Sequence, residues 1–293
     1  MNRALICAAL AGVFVGGDAV MATVNPGHSV ARFETVLGPI HIEVYDDDTP
    51  LTAANFKTLI EQGAYDNMFF HRSARLLDGT PFVVQGGGFN LADPELGPIG
   101  NVPNNGPVLN EPFFSNTRGT VAMAKLGGDP NSATNQFFFN VGNNGENLDF
   151  QNGGFTVFGN VLGDDMDIVD DIADLLRVNA GSPFNELPVL NPPVNGTILF
   201  TDLVLVTRAI VVVPGDANFD GVVDLIDLST LATNFGATDV VGAEFGDFNF
   251  DRVVDLIDLS TLATNFGAGS SVPEPGAAAG LLGLAVMLRR RAG

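Results

Sequence analysis

The chain has 293 residues, 46% of them hydrophobic, which suits about two domains with ordinary cores and excludes a wholly disordered polymer. Thirty-four acids against 13 Lys and Arg give a formal charge of −21. So acidic a surface repels phosphate backbones and anionic lipid, which argues against nucleic acid as a partner and leaves divalent cations as the natural counter-charge.

The chain starts Met1-Asn2-Arg3, runs without charge from Ala4 to Gly17 and reaches Val20-Met21-Ala22. A basic start, an apolar middle and a small residue at the cut predict a signal peptide over residues 1–22, cleaved after Ala22. The alternative, an apolar first strand, sits badly with Asp18. Cys7, the single cysteine, lies inside this segment, too early in the apolar run for lipid attachment, so the mature protein would carry neither thiol nor disulfide.

From there to about residue 212 the chain is strand-rich. Apolar or alternating runs at Val30–Thr35, Ile40–Val44, Phe82–Gln85, Thr120–Ala124, Gln136–Phe139, Thr156–Val161 and Ile198–Val206, separated by Gly, Asn and Pro, predict a barrel or sandwich. Two helices interrupt them. Thr49-Pro50 supplies a cap and an N1 proline, Leu51, Ala54, Asn55, Thr58 and Leu59 follow at helical spacing, and Gly63 can end the turn. Asp164-Asp165 opens the second, with Met166, Val169, Ile172 and Leu176 on one face and acids at its positive end. His28 reads as an exposed loop residue and His41 as an ordinary strand residue.

Within this region Phe69-Phe70-His71-Arg72 is followed by Phe82-Val83-Val84-Gln85-Gly86-Gly87, then by Met123-Ala124-Lys125 and Asn135-Gln136-Phe137-Phe138-Phe139. Singly these are an ion pair beside aromatics and a buried strand. Together, and in this order, they resemble the active-site walls of the cyclophilins, the peptidyl-prolyl cis-trans isomerases. The resemblance covers roughly residues 30 to 208, within a domain placed at 28–210. It implies a mainly β fold, an eight-stranded barrel closed by two helices, acting on proline-containing polypeptides without metal, cofactor or covalent intermediate.

The resemblance also implies roles. Arg72 would donate to the prolyl nitrogen, with His71 lining the same groove and Phe82 and Gln85 completing the catalytic set. Phe82, Val83, Phe138 and Leu148 would wall the proline-ring pocket, Gln85 and Gln136 would hold the substrate backbone and orient Arg72, and Ala124 would lie along the strand beside the substrate. The chain departs from the family pattern in four places. Ser73 to Pro81 is longer than the usual short turn, Asn147 stands where eukaryotic members commonly have Trp, Phe155 where they have His, and Lys125 where they have Asn. These changes should weaken cyclosporin binding and shift substrate choice.

After Pro214 a direct repeat begins, with Asp216 and Asp247 31 residues apart. Asp216, Asn218, Asp220, Asp224 and Asp227 occupy positions 1, 3, 5, 9 and 12 of an EF-hand-like loop, with the Val222 carbonyl at position 7. Asp247, Asn249, Asp251, Val253, Asp255 and Asp258 repeat the set. Such oxygen-rich, short-armed ligands predict two Ca²⁺ sites, since so many adjacent carboxylates repel one another without a cation. Asp at position 12, followed by Leu-Ser-Thr-Leu-Ala-Thr-Asn-Phe-Gly, resembles the dockerin type I repeat, a small α-helical module spanning residues 214–268. One departure is Arg252, where the first loop has Gly221. The resemblance implies a cohesin-like or surface partner, although Leu225-Ile226 and Leu256-Ile257 are more apolar than the usual recognition pair. The bland alternative is an acidic linker that happens to repeat.

Val272-Pro273-Glu274-Pro275, an uncharged stretch from Gly276 to Leu288 and Arg289-Arg290-Arg291 close the chain. This looks like the PEP-CTERM sorting tail of Gram-negative bacteria, placed at 272–293, with the arginines held inside by the positive-inside rule. A marginal single-span anchor explains the same residues, and in either case membrane contact is confined to this segment. The combined expectation is an exported isomerase of the cell envelope or exterior, tethered through its calcium repeats. The alternatives are a non-catalytic surface protein that binds proline peptides, and a component of a carbohydrate-degrading complex.

Overall fold

The computed structural model of the chain describes residues 24–269. The expected signal at 1–22 and sorting segment at 272–293 lie outside the described residues.

Strands β1 (Ser29–Thr35) and β2 (Gly38–Val44) form a hairpin, followed by helix α1 (Pro50–Glu61). Then come β3 (Met68–Phe69), β4 (Arg72–Arg75), β5 (Pro81–Gly86), β6 (Phe89–Leu91), β7 (Ile99–Asn101), β8 (Thr120–Met123) and β9 (Phe137–Asn140). A single turn α2 (Gly145–Leu148) leads to β10 (Val157–Val161), α3 (Met166–Asp174), β11 (Leu176–Val178), β12 (Leu187–Val189) and β13 (Leu205–Val212). Helices α4 (Leu225–Asn234) and α5 (Leu256–Asn265) belong to the repeats.

The main sheet has eleven strands in the order β4-β5-β9-β8-β10-β2-β1-β13-β3-β6-β7. It curls, because β3 and β4 are separated only by Phe70 and His71, whose N–H groups donate to Val204 O and Gln85 O at 3.1 Å each. The count exceeds the expected eight because that junction and the one at Gly87-Gly88 each split a run, and the short β7 adds an edge strand. Gly87 has φ +77°, and a Cβ there would lie 2.4 Å from the Asn135 carbonyl oxygen, so only glycine lets the two segments approach. Alternation sends Phe33, Ile42, Val84, Val121, Phe137, Phe139 and Phe158 inward against Phe56 and Tyr65, with the Phe56 and Phe158 ring centroids 4.7 Å apart.

Four local expectations are corrected. The Thr49 hydroxyl does not cap α1. It donates to Tyr45 O at 3.3 Å, and the free N–H groups of Leu51 and Thr52 are taken by the Glu111 carboxylate at 3.3 and 2.9 Å. Helix α3 ends at Asp174, so Leu176 leaves its apolar face and lies exposed in β11. The final strand begins at Leu205, because a 3₁₀ turn at Phe200–Asp202, closed by Leu199 N donating to Asp202 Oδ2 at 3.0 Å, occupies the start of the predicted run. Finally, the His28 side chain is enclosed between Glu43 Oε1 at 2.8 Å and Asp48 Oδ2 at 3.2 Å.

The repeats pack as two loop–helix units and do not hang free of the sheet. Val223, Leu231, Phe248, Phe250, Val254 and Leu262 share one apolar cluster with Val30 and Val212 of the curled sheet and with Leu162 just after β10. Arg32 reaches across to Glu244 Oε1 at 3.0 Å and lies 4.2 Å over the Phe219 ring, and His41 meets the Phe250 ring at 5.2 Å. Arg252 pairs with Asp164 ahead of α3.

Candidate active site

The register of four strands builds the site. Arg72 on β4 lies opposite Gln85 on β5, Gln85 opposite Phe138 on β9, and Phe138 opposite Ala122 on β8. Directly opposed residues point to the same face of a pleated sheet, so this row shares the outer face of the sheet, with Arg72 and Gln85 half-buried and Phe138 and Ala122 buried in a second apolar cluster, while Val84, Phe137 and Phe139 go to the main core. Ala124 continues the β8 side of the row, its N–H donating to Gln136 O at 2.8 Å.

Its polar half is a linked chain. Gln85 Nε2 donates to Gln136 Oε1 at 2.8 Å, and Arg72 Nη1 lies 3.4 Å from Gln85 Oε1. The Arg72 side chain is 42% exposed, so the guanidinium is reachable from solvent. The apolar half is a wall of Val83, Ala122, Phe138, Leu148 and Val157, with Phe82, Ala124 and Phe155 partly buried against it. Phe155 meets Phe138 edge-on at 5.8 Å, and Lys125 sits 4.9 Å over the Phe155 ring with its ammonium donating to Gly154 O. Burial lowers the Lys125 pKa.

His71 is placed differently from Arg72. It is 4% exposed, packs edge-on against Phe89 at 5.0 Å, and its Nδ1 has no partner among the described residues. Burial, helped by the Arg72 charge, pushes its pKa down to about 4, so the ring is neutral at physiological pH. It borders Gln136 at Gly88, where a Cβ would lie 2.9 Å from Gln136 Cδ and 3.2 Å from His71 Cε1.

The structure thus gathers Arg72, Gln85, Gln136, Phe82, Val83, Phe138, Leu148 and Ala124 around one surface, with His71 beneath it. The long segment Ser73–Pro81 is a lengthened hairpin whose tip closes through Leu76 N to Thr80 O at 2.8 Å. Sequence reasoning missed Glu186, whose Oε2 lies 3.0 Å from Arg72 Nε. It stands in no motif and arrives from 114 residues downstream.

The repeat loops are organised by their own acids. Asp216 Oδ2 accepts from Gly221 N at 2.8 Å, Asn218 Oδ1 from Asp220 N at 2.9 Å and Asp220 Oδ1 from Val222 N at 2.9 Å. Asp224 caps α4 through Ile226 N at 2.7 Å, while Asp227 accepts from Ala217 N at 2.8 Å and Asp224 N at 2.7 Å. Asp247, Asn249, Asp251, Val253, Asp255 and Asp258 repeat the arrangement. Among the described residues no three His, Cys, Asp or Glu side chains converge as a metal cage, a departure from the expected ligand set. The residues fit a cation in two other respects. Asp216 is buried with its Oδ1 unpartnered, and burial plus the charges of Asp258 and Asp251 raises Asp247 to about 7.

The family model described as "Cyclophilin type peptidyl-prolyl cis-trans isomerase/CLD" matches residues 30–194. A peptidyl-prolyl cis-trans isomerase of Acinetobacter baylyi is 38% identical over 152 residues, covering 50% of this chain and 73% of that protein. Peptidyl-prolyl cis-trans isomerase B of Escherichia coli is 40% identical over 161 residues, covering 52% and 88% respectively. A Streptomyces antibioticus isomerase is 37% identical over 168 residues, covering 55% and 92%. This chain belongs to the cyclophilin-type peptidyl-prolyl cis-trans isomerase family and is an enzyme of that type.

Proposed function

We propose that isomerisation occurs on the outer face of β4, β5, β8 and β9, with Arg72 as the catalytic donor. Amide resonance opposes rotation of an X-Pro bond with a barrier near ~20 kcal/mol. As the bond twists, the prolyl nitrogen becomes pyramidal and gains a lone pair. A fixed cationic N–H beside that nitrogen binds the twisted form better than the planar one, which is the condition for acceleration. Arginine suits the task because it stays charged and directs its donors in a plane. Phe82, Val83, Phe138 and Leu148 take the proline ring, and Gln85 and Gln136 hold the substrate backbone. Neutral His71 supports Gln136 from below.

The observation that carries this reading is the chain Arg72–Gln85–Gln136 running beside the Phe138 wall. Cis-trans exchange of a proline-containing peptide, followed by NMR with the full chain, tests it. Acceleration should vanish in Arg72→Ala. A folded Arg72→Ala protein that still accelerates exchange would remove Arg72 from the chemistry.

The same reading extends to the remainder of the chain. Residues 1–22 export the protein and residues 272–293 sort it to the envelope or exterior. The repeats form a dockerin-like module in which Asp216, Asn218, Asp220, Asp224 and Asp227, and their counterparts in the second loop, hold Ca²⁺ with the Val222 and Val253 carbonyls. Bound calcium would neutralise the crowded carboxylates, and the module would tether the isomerase to a surface partner.

A further inference from the structure

We propose that Glu186 is a positioning residue for the Arg72 guanidinium, an inference that rests on Arg72 being the catalytic donor. Glu186 Oε2 lies 3.0 Å from Arg72 Nε, while Gln85 holds Nη1 from the other side. A planar guanidinium has five N–H donors in a fixed fork. Held at Nε and Nη1, the plane is restrained from swinging about the Cδ–Nε bond, and Nη2 is the nitrogen with no protein partner among the described residues. The donor left for the substrate is thereby selected and aimed.

Glu186 is itself fixed. Its carbonyl accepts from Ser73 N at 2.8 Å, which ties it to the residue next to Arg72. Two residues earlier, Phe184 packs against Phe69 at 5.8 Å and Phe89 at 4.8 Å, and the next residue, Leu187, is buried in the same cluster. Across the β11–β12 hairpin, Arg177 Nη1 lies 4.0 Å from the other carboxylate oxygen. The acid therefore has a guanidinium on each side and a backbone anchored at both ends. A half-exposed ion pair of this kind adds little to folding stability. Its effect lies in holding the reactive group, where small misplacements are expensive in rate.

The test is the peptide exchange assay on the full chain with Glu186→Ala, Glu186→Gln and Arg72→Ala, together with NMR of the Arg72 Nε–Hε group. Glu186→Ala should lower kcat/KM about tenfold, mostly in kcat, with faster exchange of Hε and an almost unchanged melting temperature. Glu186→Gln keeps an acceptor on Nε and should recover most of the loss, which a general structural defect would not allow. Glu186→Ala activity within twofold of the parent, in a protein whose Arg72→Ala variant is inactive, would overturn the proposal while leaving Arg72 catalytic. An active Arg72→Ala variant would overturn the catalytic assignment instead, and the positioning role with it.

Discussion

Arg32 on β1 and Glu244, between the two repeats, meet at 3.0 Å across the boundary between the curled sheet and the repeat module. Arg32 is almost wholly buried there, its other hydrogen-bond partners being Glu34 at 2.6 Å and His41 at 2.9 Å. Burial opposes its charge, but the two carboxylates outweigh this and raise its pKa. His41 donates from Nδ1 to Asp165 at 2.7 Å, so its Nε2 is left to accept from Arg32. The isomerase domain and the repeats are thus joined by a polar node set within a shared apolar cluster.

Removing Glu244 leaves the Arg32 charge under-compensated in a buried place. Glu244→Ala should destabilise the chain by about 1–3 kcal/mol, with Glu34 retaining part of the interaction. Urea denaturation followed by near-UV and far-UV signals measures this. A midpoint unchanged from the parent would show that the apolar cluster alone holds the two parts together.

Gly88 lies where the second polar link of the site is most confined. A Cβ there would approach Gln136 Cδ to 2.9 Å, and the flexible amide would have to swing away from Gln85. Gly88→Ala should lower kcat/KM by about tenfold, while thermal unfolding changes by a few degrees at most. Full activity in the variant would mean that Gln136 can leave its place without consequence for the substrate.

Much of the site was legible because the central residue of each motif lies in or beside a strand, where alternation sorts side chains between the two faces. Arg72, Gln85 and Phe138 needed only antiparallel register to become neighbours. What stayed hidden depended on long-range closure. Glu111 capping α1 and Glu186 gripping Arg72 are acids in irregular segments, with no spacing that announces a partner 59 or 114 residues away. The repeats show a related limit. Between Gly215–Ala237 and Gly246–Ala268 the sequences differ only at Ala217/Phe248 and Gly221/Arg252. Arg252 holds φ +72°, a conformation that disfavours side chains by roughly 1 kcal/mol, and its partner Asp164 lies 88 residues upstream on the isomerase domain, where no spacing within the repeat could show it.

His71 makes stability depend on acid. Its pKa is about 4 in the folded chain, against about 6.5 for an ordinary imidazole. The unfolded chain therefore binds the proton more readily, and the contribution is fully present above pH 6.5 and lost as pH falls towards 4. The loss amounts to about 3 kcal/mol at most. Denaturation midpoints compared between the parent and His71→Gln should converge as the pH is lowered through this window. Because His71 stays neutral above it, isomerase rates should not follow its titration between about pH 6 and 8. An imidazole that titrates near 6.5 by NMR would contradict both statements.

Asp247 has the opposite sign and links pH to calcium. Its pKa is raised to about 7 in the folded chain, first by burial and then by Asp258 and Asp251 against the opposing N–H of Arg252. The folded state then holds the proton more tightly than the unfolded one. Its contribution is complete below about pH 4 and is lost as pH rises through 7, a difference on the order of 4 kcal/mol. A cation binds the ionised form, so calcium at the proposed sites offsets that loss. In EDTA the melting temperature of the full chain should fall between about pH 5 and 8, and millimolar calcium should restore it, with helix content followed by circular dichroism. The full chain is the right sample because the repeats share their apolar cluster with Val30, Leu162 and Val212. Identical melting curves with and without calcium at pH 8, and no heat on titration, would leave Asp216 and Asp247 as structural acids that bind no cation.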